Sequence, residues 1–424
     1  METFPNRNLI QRHQTERLRE LIRELLPGNR FYQDKLGGNV QSDSVTLRAF
    51  KEFSFTSKAE LVRDQAQHPP YGSVLTFPLD RYVKVHRTSG TTGAPMYWLD
   101  TEESWDWFTD CWADVFRAAG VRSEDRIFFA FSFGPFVGFW SGWDGARKVG
   151  ALAVSGGGQS TQQRLQAILD YRATVVVCTP TYALHMAAEA DKLGLDLAKG
   201  SEVKRVVVAG EPGANIPSTK YRIEAAWGAK CYDHTGATEV GAWGYECEPQ
   251  PGGVHVNENE FIAEVVNPDT GQDVAEGERG ELILTNLGRL GSPVIRYRTG
   301  DLVQPSYRPC RCGRSFVFLE GGVLGRVDDM VVVRGINVYP SAVEGILRGF
   351  PEIEEYRVDV LASEGLSEIK LTLEPRPGLT STTELVAKAE DGVRNGLGLR
   401  VTVECVPPNT LPRFELKARR FFKG

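Results

Sequence analysis

No apolar run in this 424-residue chain approaches the roughly 20 residues needed to cross a bilayer, so no membrane span is expected. The opening Met1-Glu2-Thr3-Phe4-Pro5-Asn6 lacks the apolar core of a secretion signal. Lysine and arginine number 49 against 55 acidic residues, the net charge is −6 and no basic block occurs, which argues against a nucleic-acid partner. Cysteine is scarce: seven residues in a chain this long do not make a disulfide scaffold. A reducing, cytoplasmic setting is expected, where clustered cysteines point to metal. Internal repeats and low-complexity tracts are also missing. What remains, 41% hydrophobic and 25% charged, is the composition of a soluble globular protein, too long for one ordinary core. Two or more domains follow.

The pattern along the chain is first helical. Leu9, Ile10, Leu18, Leu21, Ile22 and Leu25 fall at helical spacing over 8–26, and Pro27-Gly28 stops them. Ser57-Lys58-Ala59-Glu60 has the form of a capping box. Strands and helices then alternate: strands at 127–131, 151–154, 174–178 and 206–209, with helices at 138–149, about 160–171 and after Pro180. Such alternation predicts a largely parallel, helix-covered sheet, whose ligands sit beyond the strand carboxyl ends. From 260 the texture is antiparallel, with strands at 261–266 and 281–284. Residues 329–424 read as a final α+β unit.

Several polar segments interrupt this pattern. Tyr82–His86 reads as a strand, and Thr88-Ser89-Gly90-Thr91-Thr92-Gly93 follows it. Hydroxyls and glycines alternate there, so main-chain N–H groups and hydroxyls can converge on one anion, with phosphate the natural guest. The alternative is a polar hairpin turn; no Gly-Lys-Ser/Thr closes the loop as a Walker motif would. Gly210-Glu211-Pro212 follows a strand and suits a nucleobase or ribose edge, or is a simple turn. In Asp233-His234-Thr235-Gly236-Ala237-Thr238-Glu239, a hydroxyl and a carboxylate beside a flexible glycine suit phosphate and Mg²⁺; the alternative is a capped helix start. Asp301 ends the strand-like Ile295–Asp301 as a ribose acceptor would, or sits in a type I turn. Gly325-Arg326-Val327-Asp328-Asp329 fits a hinge. Cys310-Arg311-Cys312-Gly313, with Cys247 and His255 upstream, makes a Cys₃His set typical of structural zinc; reduced cysteines in an irregular subdomain are the alternative. His13, His68, His86 and His185 carry no signal.

Taken together and in order, these segments resemble the acyl-adenylate-forming (AMP-binding) superfamily, in its phenylacetate–CoA ligase-like branch. The resemblance rests on 88–93, Gly210-Glu211-Pro212, Gly236–Glu239, Tyr297–Asp301, Gly325–Asp329 with Gly335–Pro340, and Pro412-Arg413…Lys417. It implies an α/β fold: a large N-terminal domain of mixed sheets and helices over 1–325, including an antiparallel, zinc-bearing part at about 245–325, and a small mobile α+β domain over 326–424, hinged at 326–329. It implies two steps. A carboxylate attacks the ATP α-phosphate to give acyl-AMP and pyrophosphate, and a thiol then takes the acyl group. By resemblance Thr88, Ser89, Gly90, Thr91, Thr92 and Gly93 grip the triphosphate, Thr238 meets the α-phosphate and Glu239 holds Mg²⁺. Gly210, Glu211, Pro212, His234 and Thr235 bind the nucleotide, with Glu211 by the adenine, and Asp301 and Arg326 lie by the ribose. Lys417 supplies positive charge to the first transition state. Asp328 is the hinge, and Gly335 lines the CoA path. Thr235 stands where the family usually has an aromatic residue, Met96 where the wider superfamily has a lysine, and Leu416 where glycine usually precedes the lysine.

The implied cofactors are ATP, Mg²⁺, coenzyme A and structural Zn²⁺. Phe131, Phe133, Phe136, Phe139, Trp140 and Trp143 crowd the segment that usually lines the acyl pocket, with Gly236 and Ala237 beside it. No Lys, Arg or His interrupts 127–146, so a small, uncharged aryl or arylacetic acid is expected. The alternatives are loading of a carrier protein's phosphopantetheine and, in another class, a non-catalytic nucleotide-binding regulator. A homodimer is expected.

Overall fold

Amphipathic spacing builds the first helix, α1 (Arg7–Leu25), which buries Ile10, Leu18, Leu21, Ile22 and Leu25. Asn6 caps it by accepting from the Leu9 N–H. Leu9 itself is exposed, and the buried stripe instead takes in Gln14, whose amide donates to the Glu258 and Phe261 carbonyls. The computed structural model describes residues 4–37, 40–88, 95–333, 336–363, 366–379, 381–414 and 418–423. Three short helices and turns lead on: α2 (Arg30–Leu36), α3 (Leu47–Phe50) and α4 (Lys58–Gln67). The capping box at α4 forms in both directions between Ser57 and Glu60.

An antiparallel ribbon of β1 (Tyr82–Arg87) and β2 (Tyr97–Thr101) comes next, followed by α5 (Glu102–Ala118). The alternating stretch then runs β3 (Arg126–Phe129), α6 (Val137–Val149), β4 (Leu152–Ser155), α7 (Thr161–Asp170), β5 (Val175–Cys178), α8 (Pro180–Lys192), α9 (Leu197–Gly200), β6 (Arg205–Val208), α10 (Pro217–Trp227) and β7 (Lys230–Ala237). The expected parallel sheet is present: β4, β3, β5, β6 and β7 pair side by side in parallel. The apolar residues of β5 and those of β6 after Arg205 are buried on both faces, as parallel strands require.

β7 departs from the sequence reading. The polar residues after Tyr232 look like a turn or helix start, yet the strand continues through Ala237 because β8 (Gly241–Cys247) pairs with it antiparallel. Gly244 makes room for this: a Cβ there would come within 2.2 Å of the Thr235 hydroxyl. β9 (Gln250–Val256) then pairs with β8. Next come β10 (Phe261–Val266), β11 (Gly280–Asn286), β12 (Tyr297–Val303), β13 (Pro305–Ser306), β14 (Phe318–Glu320) and β15 (Gly325–Arg326). The antiparallel region is divided between two sheets. β8, β9, β14 and β13 extend the parallel sheet into one of nine strands, with β7 at its centre, while β10, β11, β12 and β15 form a separate four-stranded sheet. Asp301 does not end its strand; it lies inside β12, opposite Arg326 of β15, after Gly300 at φ +75°.

The chain leaves that sheet after Arg326. β16 (Val331–Val333), β17 (Ile336–Val338), α11 (Pro340–Leu347), β18 (Ile353–Ser363), β19 (Leu366–Pro375), α12 (Thr382–Leu397), β20 (Thr402–Cys405) and β21 (Phe421–Lys423) follow. They surround a core of their own, including Val333, Val338, Leu347, Val358, Leu371, Leu373 and Ala389. Among the described residues, no helix is long and apolar enough to cross a membrane.

Candidate active site

The hydroxyl–glycine loop springs from the β1–β2 ribbon. Its neck is closed by Thr88, which donates its N–H to the Met96 carbonyl at 2.9 Å and accepts the Met96 N–H on its hydroxyl at 3.0 Å. Arg87 donates its N–H to the Pro135 carbonyl, tying the neck to the aromatic segment. Ser89, Gly90, Thr91, Thr92 and Gly93 lie outside the described residues, as do Gly335 and Lys417.

Gly236 and Ala237 end β7, and Thr238 and Glu239 lie in the turn from β7 to β8. Glu239 is buried at 8% exposure. Its Oε1 accepts from the Tyr297 hydroxyl at 2.9 Å and lies 3.8 Å from the Lys58 amine. Burial and the Glu239 charge both raise the Tyr297 phenol, so it stays protonated and donates. The Thr238 carbonyl accepts from Arg289 at 2.6 Å. Arg289 is fully buried and grips Asp100 with two parallel bonds of 2.7 and 2.8 Å. Asp100 lies on β2, so one guanidinium fastens the β7–β8 turn to the strand that leaves the loop.

Further along β7, His234 is buried against Trp112, with ring centres 4.1 Å apart. Its Nδ1 bonds the Gly244 carbonyl at 2.8 Å; a carbonyl can only accept, so Nδ1 carries the proton. Burial lowers this imidazole to about 4, leaving it neutral. The neighbouring Asp233 carboxyl is raised to about 7 by burial and by Glu246, against the opposing hydrogen bond from Asn215. Thr235 packs towards Gly244, and its hydroxyl is buried with no partner among the described residues.

Asp301 faces Arg326 at 3.3 Å, and Arg326 also grips Asp328 at 2.8 Å. Gly210 takes φ +97°, and the turn it opens presses on α8: a Cβ on Gly213 would lie 2.2 Å from the Pro180 Cβ. Glu211 accepts from two main-chain donors, the Thr181 N–H at 2.9 Å and the Ala418 N–H at 2.8 Å. The aromatic segment is a connected cluster. Phe131 and Phe139 stack at 3.6 Å, and Phe133 meets Trp140 at 4.6 Å and Trp143 at 5.5 Å. Phe136 caps the start of α6 half-buried, and Trp140 is 39% exposed.

A separate cluster sits at the antiparallel end of the large sheet. Cys247 lies on β8, His255 on β9, and Cys310 and Cys312 between β13 and β14; their ligand atoms lie within 4.8 Å of one another. The Cys247–Cys310 sulfurs are 3.6 Å apart, as are Cys312 Sγ and His255 Nε2. Tetrahedral ligation with bonds of roughly 2.0–2.3 Å requires separations of about 3.5–3.8 Å; these two pairs meet it, and three thiols with one imidazole are donors that suit zinc. Burial raises the Cys312 thiol, but hydrogen bonds from His255 and Arg314 outweigh it and bring the group to about 5.

The sequence-predicted residues at Thr238, Glu239, Asp301, Arg326 and Asp328 thus fall into two bonded groups, one around Arg289 and Tyr297 and one around Arg326. Tyr297 and Asp301 share β12, which brings the two groups onto one strand. Sequence reasoning missed Arg289, Asp100 and Lys58. Arg289 and Asp100 lie 189 positions apart, and no spacing rule pairs them. Tyr297 stood inside a quoted motif but carried no role there.

The AMP-binding enzyme family matches residues 44–288, and the AMP-binding enzyme C-terminal domain matches 335–423. Phenylacetate-coenzyme A ligase of Thermus thermophilus is 32% identical over 98% of this chain and 96% of its own. Among solved structures, 2-hydroxyisobutyryl-CoA ligase in the postadenylation state with 2-HIB-AMP superposes at TM-score 0.93, 28% identical, over 100% of this chain and 91% of that one. The same ligase with 2-HIB-AMP and CoA in the thioesterification state gives 0.74 at 29% identity over the same shares.

Proposed function

The chain belongs to the AMP-binding enzyme family, in its phenylacetate–CoA ligase-like branch, and from that membership we infer an AMP-forming acid–CoA ligase acting on a small aromatic acid. ATP activates the carboxylate as acyl-AMP with loss of pyrophosphate; the CoA thiol then displaces AMP. The observation that carries this reading is the single bonded network joining the loop strand, the Thr238–Glu239 turn and β12 through Asp100, Arg289 and Tyr297.

In the first step catalysis is positioning and charge neutralisation. Thr88 and the loop residues Ser89–Gly93 embrace the triphosphate, and Thr238 donates to the α-phosphate. Mg²⁺ would be held by Glu239, whose second oxygen is free of the Tyr297 bond, and would offset phosphate charge. Asp301 accepts from the ribose beside Arg326. Lys417 supplies positive charge to offset the negative charge on the oxygens around the pentavalent phosphorus. Asp328 is the pivot and Gly335 borders the pantetheine path. Cys247, His255, Cys310 and Cys312 would hold Zn²⁺ as a structural ion, apart from the chemistry.

The aromatic cluster at 131–143 supports the choice of acid. Pyrophosphate release is measured with MgATP against benzoates, arylacetates and 2-hydroxyisobutyrate, with and without CoA. Release dependent on one aromatic acid, with thioester formed on adding CoA, is expected. Release only with aliphatic or amino acids overturns the aromatic assignment. Acyl-AMP retained without CoA product points to a carrier-protein acceptor.

A further inference from the structure

Both carboxylate oxygens of Glu211 are taken by main-chain donors. The residue leaves β6 in the turn that Gly213 presses against Pro180, so its backbone is fixed relative to α8. One carboxylate oxygen accepts the Thr181 N–H from α8; the other accepts the Ala418 N–H from the C-terminal tail. Both are charge-assisted bonds to main-chain donors, which no side-chain rotation can withdraw. Arg420, two residues on, is buried at 8% exposure. It grips Glu355 of β18 with bonds of 2.6 and 3.0 Å and reaches the Thr181 hydroxyl at 3.3 Å. Two tail residues therefore fasten the C-terminal domain to Glu211 and Thr181.

Ala418 immediately follows Lys417 in the chain, and consecutive Cα atoms are about 3.8 Å apart. The tie at the Ala418 N–H therefore acts one residue beyond the lysine in the chain. The whole-chain arrangement matches the postadenylation state of 2-hydroxyisobutyryl-CoA ligase at TM-score 0.93 and its thioesterification state at 0.74. The ties belong to the first of these arrangements. We propose, building on the ligase reading above, that Glu211 is a positioning residue for the adenylation half-reaction. It holds the tail from Ala418 onward, which follows Lys417 directly in the chain, against Thr181 and its own turn, with the Arg420–Thr181 contact as the second tie, and lets go before CoA is used.

The test separates the half-reactions. Acid-dependent ATP–pyrophosphate exchange reads the first; thioester formation from supplied acyl-AMP and CoA, without ATP, reads the second. Glu211→Gln keeps size but turns an amide towards a main-chain N–H. It should shift the ratio of the two rates about tenfold against adenylation, with the KM for ATP moving by less than about twofold. Thr181→Val keeps its own N–H and loses only the hydroxyl to Arg420; it should shift the ratio the same way by about threefold, and it carries the test if Glu211→Gln does not fold. Hydrogen exchange gives a readout without chemistry: the Ala418 amide should exchange about tenfold faster in Glu211→Gln. Equal loss in both half-reactions, or a raised KM for ATP with kcat kept, overturns the proposal; the latter would return Glu211 to the adenine. If no acid supports exchange of pyrophosphate in the unmodified protein, the ligase reading fails, and the amide measurement alone decides the tie.

Discussion

Arg289 places a full charge and three hydrogen bonds where water does not reach. Two bonds go to Asp100, which is equally buried, and the third holds the Thr238 carbonyl. Trp98 and Phe108 face its guanidinium at 5.4 and 5.2 Å. Breaking such a pair from one side is far worse than removing both partners, because the survivor keeps its desolvation penalty. Arg289→Met should therefore lower stability to urea by about 3–5 kcal/mol, and adding Asp100→Leu should recover part of that loss. Additive losses would show that the two residues act independently. Asp233 gives a prediction with a sign. Its folded carboxyl titrates at about 7 against an ordinary 3.8, so its stabilising contribution is full below 3.8 and is lost as pH rises through 7. Asn at this position escapes that loss. The thermal midpoint of Asp233→Asn relative to the unmodified protein should rise by about 2 °C or more from pH 5 to pH 8. A difference that does not change with pH would mean that Asp233 is ionised throughout.

Elements explain which parts of the site could be read in advance. The strands at 127–131 and 174–178 are legible because a short apolar run bounded by polar residues has few other uses in a chain that alternates with helices. The residues 233–239 were misleading as structure. Asp, His, Thr and Gly favour turns locally, but β8 supplies an antiparallel partner and a side-chain-free Gly244, and tertiary pairing overrides propensity. The Cys₃His set was visible because cysteine is rare here, although its members reach from 247 to 312. Its place was not: the donors join β8, β9 and the β13–β14 connection of the large sheet, away from the four-stranded sheet. A closed metal site at that edge should stabilise it. Protein purified without chelator should carry about one equivalent of zinc, and stripping it should speed amide exchange in β8 and β9 ahead of β5 and β6. Less than about half an equivalent would refute the site.

At the scale of the molecule, the order of motifs along the chain carried the architecture. Contacts between distant segments did not show in it. Nothing in the sequence links Thr181 to Arg420 across 239 positions, or Glu211 to Ala418 across 207, since side chains that meet only when two bodies dock leave no periodicity. The same holds for the Lys58 amine near Glu239, which reaches the site from a helix that reads as packing structure.

β7 occupies the middle of nine strands, hydrogen-bonded to a parallel neighbour on one side and an antiparallel one on the other. A strand so placed opens only when the whole sheet does, whereas a tail held by a few bonds can detach many times while the sheet stays closed. The reaction centre therefore divides by clock. On the proposed release of the tail, the Thr238–Glu239 turn is anchored to the slowest part of the molecule and Ala418 and Arg420 lie on the fastest.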